Sequence, residues 1–276
     1  MKKVMIVFVF LVSVYAWEKT IDITQMDEAN DIIQMSDGSF AICGVNTAIS
    51  HAYADIAVAR LNEDGDTLWY KLVGTDESDI GYELVGVDDT TFIVLGATVD
   101  IGRLLYRFNI FGHTLWAILD TTCTKGYSAD ITMANTVLTS GDLQYSEYSY
   151  GGDKLWESYR PFYPYGLLRG INDIKCLYQS PSGYVAVGYA SIDEYDAAIA
   201  LYTDDGDTTW LRHFGHSDWD LFNAVCIINN PAPGHLRGFL AVGETKDAVC
   251  CTSFVYAVRT DMDGNLIWEK YYSHPL

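Results

Sequence analysis

The chain has 276 residues, 49% hydrophobic and 20% charged, a composition that excludes disordered and collagen-like classes and fits a globular domain. Its formal net charge of −20 repels nucleic acid and acidic membrane surfaces and tolerates cationic partners. Aromatic residues make up 14%, with 20 tyrosines, which suits β-structure.

The chain begins Met1-Lys2-Lys3, runs almost wholly apolar from Val4 to Val14 and reaches a small residue at Ala16. A short positive stretch, a short apolar run and a small residue predict a secretory signal peptide over 1–16. The run is short for a membrane span, and no later segment reaches about 18 uninterrupted apolar residues. The expectation is a secreted, periplasmic or cell-surface protein without a membrane span after cleavage; an uncleaved anchor is the alternative. Cleavage removes Lys2 and Lys3 and takes the charge from −20 to −22.

Residues 17–276 then read as a single domain built from a repeat. Trp17-Glu18-Lys19-Thr20-Ile21-Asp22-Ile23 predicts an early strand, either closing a ring with the last unit or adding an edge. From there each unit has four strand candidates. The first carries a recurring polar position, as in Ala29-Asn30-Asp31-Ile32-Ile33 and Asn172-Asp173-Ile174-Lys175-Cys176-Leu177. The second is an apolar run ending in Gly: Phe40–Gly44, Phe92–Gly96, Val137–Gly141, Tyr184–Gly188 and Phe239–Gly243. Such runs imply strands covered on both faces, and the terminal Gly a sharp exit or a close backbone approach. The third alternates, as in Asp55–Leu61, except near Leu143–Tyr148, which is polar and Tyr-rich. A Gly turn and a strand bearing Trp four residues after the Gly complete the unit: Gly65 with Trp69, Gly112 with Trp116, Gly152 with Trp156, Gly206 with Trp210 and Gly264 with Trp268. The unit of roughly 40–55 residues has the length of a propeller blade. The predicted fold is all-β, a β-propeller of about five four-stranded antiparallel blades at about 28–73, 79–120, 126–160, 168–214 and 218–272. An open fragment of a larger propeller is the alternative.

The six cysteines of this chain show no zinc spacing. Cys43, Cys176 and Cys226 lie in apolar strands and are predicted buried. Cys123, Cys250 and Cys251 fall in predicted loops, where a disulfide forms more easily.

The recurring Gly-x-x-x-Trp turn and the apolar run ending in Gly resemble the repeat of bacterial secreted β-propellers of the SBBP type. They resemble more weakly the PQQ-like blades with their docking Trp. The resemblance covers nearly the whole mature chain and implies fold more than activity, since such families include scaffolds, surface proteins and quinoprotein enzymes. The vicinal Cys250-Cys251 resembles a pair near the quinone in those enzymes, but they carry eight blades. No cofactor is expected, calcium being the one candidate.

Three groups of residues are candidate sites. Asp31, Glu83, Asp130, Asp173 and Asn223 recur on the innermost strand, where they predict either an axial cation or ligand site or hydrogen bonds to the backbone of the next blade. Tyr163, Tyr165, Asp193, Glu194, His213, His216 and Trp219 fall in connections predicted to emerge on one face, where aromatics with carboxylates suit sugar rings or peptide side chains. Trp69, Trp116, Trp156, Trp210 and Trp268 are predicted to pack between blades. The turn Asp261-Met262-Asp263-Gly264-Asn265 has some features of a calcium loop, but the twelfth position is Tyr272 rather than Glu, so a hairpin turn is expected. No G-x-S-x-G, H-E-x-x-H or P-loop occurs. The leading expectation is a non-enzymatic module that binds a protein or surface component through its loop face. A carbohydrate-binding or carbohydrate-active propeller and an axial cation-binding propeller are the alternatives.

Overall fold

The computed structural model describes residues 27–47, 53–123, 125–141, 144–159, 168–178, 182–191, 195–215, 219–229, 236–247 and 252–272. The signal segment, the Trp17 strand, Cys250 and Cys251 lie outside these.

The described residues form four-stranded antiparallel meanders. The first is β1 (Asp27–Gln34), β2 (Phe40–Asn46), β3 (Asp55–Leu61) and β4 (Thr67–Val73). The second is β5 (Asp79–Asp88), β6 (Thr91–Thr98), β7 (Gly102–Asn109) and β8 (Thr114–Asp120). The third is β9 (Ser128–Ile131), β10 (Val137–Ser140), β11 (Gln144–Tyr148) and β12 (Lys154–Tyr159). The fourth is β13 (Leu168–Leu177), β14 (Gly183–Ser191), β15 (Tyr195–Tyr202) and β16 (Thr208–Phe214). The fifth is β17 (Trp219–Asn229), β18 (Leu236–Asp247), β19 (Thr252–Thr260) and β20 (Leu266–Tyr272). The fourth and fifth are joined into one eight-stranded sheet by a parallel pairing of β15 with β17 at Tyr195 and Trp219.

Apolar side chains collect between blades rather than in one central core. One cluster joins the first and second blades around Ile56, Val58, Phe92 and Phe108. Others join the second to the third, the third to the fourth and the fourth to the fifth. This explains the burial pattern: β6 is buried at every residue, while the outer strands β4 and β8 alternate exposed and half-buried positions. A middle strand is covered on both faces by neighbouring blades; an outer strand reaches solvent. The polar strand β11 is also buried, at every position but Glu147. Cys226 departs from expectation. It is exposed on β17, whereas Cys43, Cys123 and Cys176 are buried and free. Cys226 alternates with Val225, whose side chain faces the fourth blade, so the thiol points the other way. Among the described residues no comparable packing joins the fifth blade to the first.

Two glycine positions shape every blade. The turn before each Trp strand places Gly65, Gly112, Gly152, Gly206 and Gly264 at φ of 78–96°. That left-handed position ends a type I turn with a bulge and is cheapest for Gly. The first residue of each turn locks it through its side chain: Asn62 Oδ1 accepts the N–H groups of Asp64 and Asp66, and Asp261 Oδ1 those of Asp263 and Asn265. The Asp261 carboxylate is therefore engaged by its own turn. The glycine closing the apolar run allows close approach instead: a Cβ on Gly188 would lie 1.5 Å from the Gly170 carbonyl oxygen.

Candidate functional site

The innermost strands carry bulges at a recurring place. The register of β1 against β2 shifts between Ala29 and Asp31, that of β5 between Gly81 and Glu83, that of β13 between Ile171 and Asp173, and that of β17 between Phe222 and Ala224. A bulge bends the strand and re-aims its side chains. In β1, β5 and β13 the residue after the bulge, Asp31, Glu83 or Asp173, reaches the next blade, while β9 pairs with β10 without a shift.

Four carboxylates of the innermost strands reach across. Asp31 accepts Leu84 N–H at 2.7 Å, Glu83 accepts Ala129 N–H at 2.6 Å, Asp130 accepts Cys176 N–H at 2.7 Å and Asp173 accepts Val225 N–H at 2.8 Å. The three aspartates also accept the N–H of their own following residue. Asn30 and Asn172 add a donor to the next blade's carbonyls at Gly81 and Phe222, both at 2.8 Å. Asn223, on the last blade, is exposed.

The axis also holds a lysine that the repeat pattern did not single out. Lys175 Nζ lies 3.0 Å from Glu83 and 3.0 Å from Asp173, so it bridges the second and fourth blades. Ser128, from the blade between, donates to Asp173 at 2.9 Å. Burial pushes the Glu83 carboxyl up to about 7, against the opposing pull of Lys175. Burial likewise raises Asp130, against the Cys176 N–H that favours its charged form. Both carboxylates raise the Lys175 ammonium well above its usual range, outweighing its own burial. The cation that Glu83 and Asp173 attract is thus a side chain of the chain itself. Among the described residues no group of three or more His, Cys, Asp or Glu has the geometry to hold a metal ion. A lone lysine within an apolar strand of an acidic chain was the available sequence signal.

The loop face is built from the connections between second and third strands and between blades. Tyr163, Tyr165, Asp193, Glu194 and His216 lie outside the described residues. His213 belongs to β16 rather than to a connection, pairs with Ala198 and is half-buried, and its burial lowers the imidazole pKa. Trp219 likewise opens β17. It is 43% exposed and stacks on Tyr195, itself 45% exposed, with ring centroids 5.5 Å apart. Tyr189 meets Tyr195 at a tilt, with centroids 5.1 Å apart, and Lys246 Nζ sits 4.5 Å from the Trp219 ring. The parallel pair that fuses the fourth and fifth blades therefore carries an aromatic platform with a cation at its end.

The repeat tryptophans lie at the periphery of the interfaces. Trp69 Nε1 donates to Ile110 O at 2.9 Å, Trp116 to Tyr150 O at 2.9 Å and Trp210 to Met262 O at 3.0 Å, each on the turn of the next blade. Trp156 differs, donating to Glu147 within its own blade. Trp268, on the last blade, carries Lys270 Nζ at 5.3 Å from its ring. A pocket of about 560 Å³ opens beside Trp156, between the third and fourth blades.

Solved structures share this architecture. A protein of unknown function from Bacteroides caccae superposes with a TM-score of 0.58 at 11% identity, covering 90% of this chain and 83% of its own. The WD40 domain of Neurospora crassa Pan2 superposes with a TM-score of 0.60 at 9% identity, covering 89% of this chain and 66% of its own. No protein-family model and no curated protein matches the sequence. At such identities the likeness concerns fold alone: the chain is an all-β protein of propeller architecture.

Proposed function

We propose that this chain is an exported, non-enzymatic propeller that binds its ligand through the loop face. One observation carries the reading. Tyr195 and Trp219, from different blades, expose a stacked pair of rings with Lys246 at its edge. Large exposed rings held by strands on a rigid scaffold are a pre-organised binding surface. The ionisable groups on the axis, by contrast, are engaged in joining blades. The signal-like Met1–Ala16 and the resemblance to secreted repeat propellers support export.

The ring pair also favours a sugar as ligand, because aromatic faces stack on the apolar face of a pyranose. A glycan array probed with the wild type and with Trp219→Ala tests this. Hits that disappear in the variant support the platform. Hits retained by the variant place binding elsewhere, and an array without hits removes the sugar. Turnover of a polymer that depends on a loop-face carboxylate would overturn the non-enzymatic reading.

A further inference from the structure

One cation of the chain is fully enclosed. Arg103, near the start of β7, has no exposed surface, and among the described residues no carboxylate lies within ion-pair distance of it. Its Nη1 donates to the Thr139 hydroxyl of the third blade at 2.6 Å. Its Nε and Nη2 meet no hydrogen-bond acceptor. Those two nitrogens form one edge of the guanidinium, the edge that grips an anion with two parallel N–H groups. The acid opposite Arg103 in the sheet is Asp120. Its carboxylate is taken by Lys154 at 2.8 Å and by the Tyr148 and Thr122 hydroxyls. Against its burial, these bonds hold the Asp120 carboxyl well below its ordinary range. A buried charge without a partner is among the costliest groups a fold can carry.

The third blade turns further donors toward the same place. Val137 and Tyr148 pair across β10 and β11 and pack against the second blade. Strand alternation therefore puts Thr139, Ser146 and Gln144 on that face as well. Ser146 stands opposite Thr139, and the nearby Gly141 donates its N–H to Gln144 O at 2.9 Å. Ser146 Oγ and both ends of the Gln144 amide are buried and likewise without a partner. Glycines keep side chains off the guanidinium. A Cβ on Gly141 would lie 2.9 Å from Nη2, and one on Gly126 would lie 3.0 Å from Nε.

We propose that this joint between the second and third blades binds a chloride ion, seated on the Nε–Nη2 edge of Arg103 and met by the Gln144 amide and the Ser146 hydroxyl. One anion answers all of these donors at once and supplies the negative charge that Asp120 gives to Lys154 instead. The enclosure selects a small anion: Arg103, Gln144 and Ser146 are all buried, so a carboxylate or phosphate on a larger molecule would have to bring the rest of that molecule into the joint. Chloride accepts from any direction, which suits donors contributed by two blades. The net charge of −20 keeps anions off the general surface, so uptake here reports these donors rather than incidental pairing. The site lies away from the Tyr195–Trp219 platform of the fourth and fifth blades and goes beyond the loop-face reading.

Thermal unfolding of the full chain in sodium chloride and in sodium gluconate, at equal ionic strength, tests the assignment. A ligand of the folded state raises the midpoint with its concentration, and gluconate is too bulky for an enclosed site. The midpoint should rise by several degrees as chloride replaces gluconate, along a saturating curve. Gln144→Leu and Ser146→Ala should each shift that curve to about tenfold higher chloride. Arg103→Met should abolish the difference between the two salts. Crystals of the wild type grown in bromide should show an anomalous peak beside Arg103 Nη2, which decides the matter should Arg103→Met fail to fold. Equal midpoints in the two salts or a bromide-free guanidinium edge would overturn the site and leave water as the partner of these donors. A chloride effect undiminished in a folded Arg103→Met variant would overturn it by placing the ion elsewhere.

Discussion

The interface between the second and third blades and that between the third and fourth share an inner half and differ in their outer half. On the inside both use a carboxylate of one blade to accept a backbone N–H of the next, Glu83 to Ala129 and Asp130 to Cys176. On the outside Trp116 and Arg107 converge on one turn carbonyl, whereas Trp156 turns back to Glu147. The comparison separates what holds a propeller together from what it can relinquish. The axial joint recurs where the peripheral seal does not, so the acid Glu147 on a third strand and a pocket beside it coexist with an intact axial contact.

The largest expected effect tests the outer half directly. Trp116→Ala removes a packed indole and its hydrogen bond and should cost about 3 kcal/mol, near the lower end for such truncations. Trp156→Ala, beside the pocket, should cost roughly half that, because less packing is lost. Equal costs in denaturant unfolding would erase the distinction between the two interfaces.

The next effect concerns the shared inner half. The Glu83 carboxyl is raised to about 7 by burial from an ordinary 4.5. The unfolded chain therefore loses this proton first as pH rises, and stability falls across the window from about 4.5 to 7. Glu83→Gln keeps an acceptor for Ala129 and should flatten this fall, a difference of roughly 2–3 kcal/mol at about 1.4 kcal/mol per pKa unit. Stability curves for both proteins across that range measure it, and parallel curves would mean that Glu83 does not carry the dependence.

The smallest effect isolates the arginine. Arg107→Gln loses the ion pair with Asp88 and the charged donor to Tyr150 O, for about 1–2 kcal/mol. Asp88 is pulled below its ordinary range chiefly by the Thr91 and Thr90 hydroxyls, against burial, with Arg107 adding less. Most of the loss should therefore persist at high salt, because the bond to the carbonyl outlasts a screened surface pair. A loss that vanishes in salt would assign it to Asp88 instead.

The architecture was readable because its signals are local and periodic. A positive-φ Gly, an Asn, Ser, Thr or Asp at the head of the turn and an apolar run between turns each have a short-range cause. Asp31, Glu83 and Asp173 hold one repeated position, each opposite the residue before a run-closing Gly, but Asp130 lies two residues further along its strand, opposite Leu138, and Asn223 falls in the bulge itself, offsets that leave no composition signature. Cys226 was misjudged because an apolar run does not reveal that one face of β17 is unlike the other. Trp219 stood out in sequence, while Tyr195, its partner, needed the parallel pairing of β15 and β17. Glu147 was visible in principle: the residue opposite each repeat Trp runs Arg60, Arg107, Glu147, Leu201, Arg259, three arginines, one leucine and one acid.

The axial carboxylates grip main-chain amides, and every residue type except proline offers one. A successor can therefore drift far in side-chain identity and still be held, since the handshake asks for a peptide group in the right place rather than for a matching partner. Duplicated units need preserve only their own outstretched acid. That tolerance accounts for a third copy with a short polar strand and a reversed charge remaining in line with its siblings.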